Sequence, residues 1–180
     1  MSITYVDGQI DQVRAEASQV QVEHGRIIAG INADPALSPE GKQLRLTEIN
    51  DSIKTNLESL KAREMKLVEN EITRLERLLD AKAGNTSSDI IAFRDAQDRA
   101  ERIENADEAN RIIERAERTG DKTLAHAVFR YALENNWSTT TKAYAKANPE
   151  LAEAANDLSI WKRFQKPDMN RALAYSTAWK

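Results

Sequence analysis

The feature that most constrains this chain is a heptad repeat of apolar positions running through its first 31 residues. Successive positions are separated alternately by three and four residues, which is the spacing of the buried stripe in a coiled coil. The repeat consists of Ile3, Val6, Ile10, Val13, Ala17, Val20, His24, Ile27 and Ile31. A helix with so narrow an apolar stripe cannot bury it alone, so it needs a partner helix.

The next segment supplies that partner. Ser38, Pro39 and Glu40 place a cap residue, a first-turn proline and a first-turn acid in order, and Gly84 is a stop signal. These signals predict an antiparallel helical hairpin over residues 1–84, resembling a coiled coil. We expect its seam to contain Ile10, Val13, Val20, His24, Ile27, Ile49, Ile53, Leu57 and Leu60. His24 on this seam either sets the helix register or, when it titrates, loosens the hairpin.

The apolar positions of the second helix repeat with an average spacing of about 3.67 residues, and Glu64 interrupts them. This second helix is longer than the first, so its distal apolar positions need another covering surface. Either the C-terminal half or a second subunit would provide it. We therefore expect a homo-oligomer or a multi-copy protein, with an exposed oligomer seam at Leu67, Val68, Ile72, Leu75 and Leu79.

Residues 85–162 read as a compact module of short, alanine-rich helices. Gly120 is a helix stop, Asp121 a helix start, and Asn148 precedes a first-turn proline at Pro149. No stretch of the chain alternates apolar and polar residues as a strand does. The sequence therefore predicts an all-α fold, in which the hairpin is followed by an array of short helices.

The chain lacks the residues that most catalytic and metal sites require. The chain has no cysteine, which excludes thiolate sites and favours an intracellular location. Gln21 and Thr123 stand where a Glu-x-x-His pair ending at His24 or His126 needs glutamate. No phosphate-binding glycine loop and no apolar run long enough for a membrane span occur. We expect no enzyme, no catalytic or metal residues, no cofactor and no membrane.

The C-terminal tail, residues 163–180, and the helix end before it concentrate aromatic and basic residues. From residue 160 onward the chain carries five lysines and arginines against one aspartate. Such composition is enriched at protein interfaces. We predict a docking arm that contacts a partner through Trp161, Lys162, Arg163, Phe164, Lys166, Arg171, Tyr175 and Trp179. The alternative is that these aromatics only cap the helical array, and direct nucleic-acid binding is disfavoured because so few cations give a small electrostatic contribution.

A resemblance to a known group of proteins spans most of the chain. The residues that carry it are Leu37-Ser38-Pro39-Glu40-Gly41, Gly120-Asp121, Leu124-Ala125-His126-Ala127-Val128, Asn136-Trp137, Tyr144, Asn148-Pro149 and Ala172-Leu173-Ala174-Tyr175. In these the chain resembles small helical proteins encoded among the head and structural genes of tailed bacteriophages of actinobacteria. The resemblance implies a component of the virion, assembled in the host cytoplasm, and it carries over no catalytic residue.

The expected function is therefore that of a virion structural protein, of the minor capsid, decoration or head-to-tail connector type, which binds and stabilises coat, portal or connector proteins. Two alternatives stay open. A capsid scaffolding protein is also helical and acidic with a basic C-terminal end, and it leaves before maturation. A regulatory helical protein would bind nucleic acid through the tail, and its DNA binding would depend on salt.

Overall fold

The computed structural model describes residues 3–81 and 87–177. Within these ranges the chain forms eight helices and no strand, which confirms the predicted all-α fold. The helices are α1 Ile3–Ala33, α2 Pro39–Asp80, α3 Ser87–Ala100, α4 Ala106–Thr119, α5 Lys122–Glu134, α6 Ser138–Ala147, α7 Pro149–Gln165 and α8 Met169–Ala174. The predicted stop at Gly84 lies outside the described residues.

The chain divides into two compact units, and the division differs from the one expected. Unit 1 comprises Met1–Glu71 with Phe164–Lys180, and unit 2 comprises Ile72–Arg163. The boundary that we expected near residue 84 falls instead inside α2. The tail, which the sequence analysis separated as an arm, belongs to the same unit as the hairpin.

In unit 1, α1 and the first part of α2 form the predicted antiparallel hairpin. Asp34 closes the connecting turn by accepting a 2.8 Å hydrogen bond from the Ala36 amide. Ser38 caps α2 by accepting a 3.1 Å hydrogen bond from the amide of Gly41, which confirms the predicted start of this helix. Farther along the hairpin, an ion pair of 2.8 Å joins Glu16 to Arg63.

The core of unit 1 lies midway along the hairpin. Val13 and Ala17 of α1 and Leu57 and Leu60 of α2 are buried together with Tyr175 from the C-terminal segment. Two helices alone leave the edges of their seam open to water. Here α8 lies against α1 as a third layer, so this part of the seam is closed.

Unit 2 is built around α5, which packs against α3, α4 and α6. Nine of its 13 residues are buried, so this helix is apolar on nearly all sides. Its start is capped by Asp121, which accepts a 3.0 Å hydrogen bond from the Leu124 amide. Gly120, with φ of 75°, ends α4 in the left-handed region, and the amide of Asp121 reaches back 2.8 Å to the Ala116 carbonyl. Both predicted helix signals are confirmed.

The tail contains a helix that the sequence analysis did not assign. The side chain of Asp168 accepts a 3.0 Å hydrogen bond from the Arg171 amide and starts α8, just after Pro167. Six residues form this helix. So short a segment is marginal in isolation, and its stability comes from what it packs against.

Candidate functional site

The most unusual group in unit 1 is the carboxylate of Glu64, which has no exposed surface. The Nε and Nη2 atoms of Arg14 donate to its two oxygens at 3.0 and 3.1 Å. Arg171 adds an ion pair of 3.0 Å, and the hydroxyl of Tyr175 donates at 2.6 Å. The sequence analysis treated Glu64 as an interruption of the apolar seam, whereas the structure makes it the meeting point of three elements.

The electrostatics of this cluster keep Glu64 ionised. Burial by itself raises the pKa of the Glu64 carboxyl, but the hydrogen bonds from Arg14 and Tyr175 and the charges of Arg14 and Arg171 outweigh it, so the pKa lies below its ordinary value of 4.5. Burial, and then the bond to Glu64, raise the pKa of Tyr175. The bond to Glu64 also raises the pKa of Arg14. The cluster is therefore an anion held by two permanent cations.

Arg171 connects this buried carboxylate to the backbone of the tail. Its guanidinium donates to the carbonyl oxygens of Phe164 and Lys166 and lies over the Phe164 ring, 4.4 Å from the centroid. From the other side, Gln21 of α1 donates hydrogen bonds of 3.1 and 3.0 Å to two tail carbonyls, those of Ala174 and Ser176. The described part of the tail is therefore fastened to the hairpin at Arg171 and again at the Ala174 and Ser176 carbonyls.

A carboxylate without exposed surface, with both oxygens already bonded, cannot reach a substrate in this conformation. The cluster of Glu64, Arg14, Arg171 and Tyr175 acts as an anchor for the tail. We call it the tail anchor below.

The predicted docking residues separate into an inner and an outer set. Trp161, Arg171 and Tyr175 are at most 8% exposed, so their side chains are used for internal packing. Lys162 forms an ion pair of 2.9 Å with Glu76. Arg163 and Lys166 are exposed and Phe164 is half-buried, while Trp179 lies outside the described residues. Docking through the exposed residues stays a prediction.

The outer surface of α8 carries residues that the sequence analysis missed as partner contacts. Met169 is 77% exposed and Leu173 is 58% exposed, and they are four residues apart on one face of the helix. Arg171 and Tyr175, also four apart, occupy the opposite face and enter the tail anchor. The sequence indicates this arrangement only through two interleaved pairs at helical spacing, which is a weak signal in a helix of six residues.

The predicted oligomer seam is not exposed. Val68, Ile72, Leu75 and Leu79 are buried within the single chain, and Leu67 is partly buried against the core of unit 1. The sequence analysis left open whether the C-terminal half of the chain or a second subunit covers these residues. In the structure, other residues of the same chain cover them. A second subunit is not needed to cover these five residues.

The predicted hairpin seam is closed at one end and open at the other. Its deeply buried members are Ile10, Val13, His24, Leu57 and Leu60, and its half-buried members are Val20, Ile27, Ile49 and Ile53. His24 shares a hydrogen bond of 2.7 Å with Asn50 across the hairpin. This polar pair joins α1 to α2 at a single register.

A cavity of about 480 Å³ in unit 2 is lined by Lys122, His126 and Tyr144, among other residues. Burial, reinforced by the charge of Arg130 and partly offset by the Leu79 backbone, lowers the pKa of His126 to about 4. Burial raises the pKa of Tyr144 to about 12, with contributions from the charges of Glu117 and Glu150. At neutral pH both side chains are therefore uncharged, and His126 is packed among Phe93, Phe129 and Tyr144.

A second cavity of about 410 Å³, also in unit 2, is lined mainly by small and polar side chains. Lys142 and Arg163 are the charged residues in its wall. Across residues 3–81 and 87–177, no three histidine or acidic side chains gather closely enough to hold a metal ion. None of the helices in the described part of the chain is long and apolar enough to cross a membrane.

Comparison with known proteins found no match to any family model, any curated protein or any solved structure.

Proposed function

We propose that this chain is a non-enzymatic structural protein of a bacteriophage particle that binds a coat, portal or connector protein through the outer face of α8. The observation that carries the proposal is the two-sided construction of this helix. Arg171 and Tyr175 hold its inner face to Glu64, while Met169 and Leu173 stand exposed on its outer face.

A pre-positioned apolar pair is an effective contact for a protein partner. A loose tail would lose backbone and side-chain freedom on binding, which weakens association. The tail anchor has already ordered this segment, so less freedom remains to be lost. Lys166, which is exposed and lies three positions before Met169 in the sequence, adds a positive charge suited to an acidic surface.

The phage setting of the proposal rests on the sequence resemblance. That resemblance spans most of the chain and implies a virion component with coat, portal or connector proteins as partners. The tail is a poor match for nucleic acid, because Arg171 is bound to Glu64 and Lys162 to Glu76, so that of its basic residues within the described part of the chain Arg163 and Lys166 remain for phosphates.

The direct test replaces the outer face of α8 without touching the anchor. The double variant Met169→Glu, Leu173→Glu should bind purified coat, portal or connector protein at least roughly tenfold more weakly than the wild type, because it would bury two unpaired charges in an apolar contact. Ile91→Glu is the matched control, since Ile91 is an apolar residue of α3 with 69% exposure. Equal binding by the double variant and the wild type would refute docking through α8.

A second test concerns the particle. Quantitative mass spectrometry of mature particles and precursor heads, scaled to the major coat protein, should find the chain in mature particles. Presence only in precursors would assign it to scaffolding instead. Absence from both would refute the assembly function and favour the regulatory alternative, which salt-dependent DNA retention would then support.

A further inference from the structure

The apolar residues between α1 and α2 become more exposed beyond the part of the hairpin that the C-terminal tail covers. Val13, Ala17, Leu57 and Leu60 are buried where the tail covers the seam. Toward the turn, apolar residues at the same kind of seam position stay only half-buried, and these are Ile27, Ile31, Leu46 and Ile49. The sequence pattern is the same in both parts. The difference is that no third element from the described residues covers the part near the turn.

The uncovered part forms a shallow groove between the two helices. Ile27 and Ile31 of α1 and Ile49 of α2 provide its apolar walls, and Arg45 and Glu48 of α2 stand at its edge. Its volume is about 370 Å³. Arg45 and Glu48 are exposed, and neither forms an ion pair with another residue of the described ranges.

We propose that a second copy of this chain occupies the groove, with the two hairpins packed face to face and antiparallel about a two-fold axis. In such a contact every residue pair occurs twice, once in each direction. The combined apolar faces would form a four-helix bundle, which closes the seam from both sides. This contact is separate from the outer face of α8, so it goes beyond the proposed function.

The charges at the groove edge favour a second copy as the occupant. Arg45 and Glu48 have opposite signs and lie one helical turn apart. A two-fold axis passing between them places Arg45 of each copy opposite Glu48 of the other. The surface is therefore complementary to itself, and the same two residues provide both ion pairs.

The size of the groove sets the expected affinity. The uncovered part of the hairpin is about 20 Å long and about 20 Å wide, judged from helix rise and diameter. Such a face buries roughly 400 Å² on each copy and about 800 Å² in total, which is less than a stable protein interface needs, so we expect a weak dimer with a dissociation constant of roughly 100 µM. High local concentration, as in an assembling particle, would favour it.

Sedimentation equilibrium over about 1 to 500 µM, a range that brackets a small interface, tests the proposal. The wild type should show a reversible monomer–dimer equilibrium. Ile49→Glu places a charge in the groove and should weaken dimerisation roughly tenfold or more. Val22→Glu is the matched control on the opposite side of α1, where Val22 is 55% exposed, and it should leave the equilibrium within about twofold.

Exchanging the charges of Arg45 and Glu48 tests the two-fold geometry. Both residues are exposed, so their substitution leaves the hairpin core intact. Arg45→Glu and Glu48→Arg should each weaken the dimer, because each places like charges opposite one another. The double variant Arg45→Glu, Glu48→Arg should restore it, since the pairs are re-formed with exchanged signs. A monomeric wild type across the whole range, or a double variant as weak as the single ones, would overturn the proposal.

Discussion

The hydroxyl of Tyr175 donates a 2.6 Å hydrogen bond to Oε2 of Glu64, which joins two residues that are 111 positions apart in the chain. The bond lies inside the protein, where both partners are cut off from water. It ties the end of the tail to the middle of α2. The stability of unit 1 should therefore depend on a residue close to the C-terminus.

Tyr175→Phe should lower the free energy of unfolding by about 1.5–3 kcal/mol, the usual cost of losing a hydrogen bond to a charged group. Urea unfolding monitored by circular dichroism measures this change. Tyr131→Phe is the matched control, because the Tyr131 hydroxyl makes an exposed 3.3 Å bond to the Glu101 carbonyl. Tyr175→Phe should lose clearly more stability than Tyr131→Phe. Equal losses would show that the hydrogen bond in the tail anchor contributes no more to stability than an exposed one.

Glu64→Gln should be more damaging, lowering the free energy of unfolding by about 3–5 kcal/mol, because it leaves buried Arg171 without its anion. Glu69→Gln removes only an exposed carboxylate that pairs with Lys66 at 3.4 Å, and it should cost at most about 0.5 kcal/mol. Chemical denaturation of both variants provides the comparison. A small loss of stability in Glu64→Gln would mean that the tail anchor contributes little to the free energy of unfolding.

Protonation of the Glu64 carboxylate should also make the protein less stable at acidic pH. The pKa of Glu64 is lower in the folded chain than its ordinary value of 4.5, so the folded state binds fewer protons. This contribution to stability is present above the unfolded-state pKa and is lost as pH falls through the folded-state pKa. Unfolding free energies measured below about pH 5 should therefore fall less steeply in Glu64→Gln than in the wild type. Parallel pH profiles would contradict this account.

His126 predicts a second pH dependence, in a higher pH window. Its pKa is about 4 in the folded chain against 6.5 ordinarily, so its contribution is complete above 6.5 and declines as pH falls toward 4. From pH 7 to pH 5 the loss should be about 2 kcal/mol. Replacement by Phe, which suits the aromatic surroundings, should remove this slope. Thermal unfolding across that pH range checks it, and an unchanged slope would assign the effect elsewhere.

Two glycines should respond oppositely to alanine. Gly120 has φ of 75°, which a side chain disfavours, so Gly120→Ala should destabilise unit 2 by about 1 kcal/mol. Gly8 lies inside α1 with nothing within 4 Å of an added Cβ, so Gly8→Ala should stabilise by about 0.5–1 kcal/mol. Melting temperatures of the two variants should move in opposite directions.

The sequence predicted the helices well because their signals are local. Ser38, Asp121 and Gly120 cap the helices that we expected them to cap. The short helix α8 was missed because six residues carry little periodic signal and its support comes from elsewhere. The outer face formed by Met169 and Leu173 was missed for the same reason.

What the sequence by itself determined was the all-α class, the hairpin and its seam, since apolar periodicity and caps act within a few turns of helix. Only the tertiary structure decided what covers each apolar stripe. The sequence predicted that Val68 and Leu75 are exposed, but both are buried. Glu64, which interrupts the apolar seam in the sequence, anchors the tail in the structure. Burial and ion pairing depend on residues brought together from distant parts of the chain, and no local pattern records which of them meet.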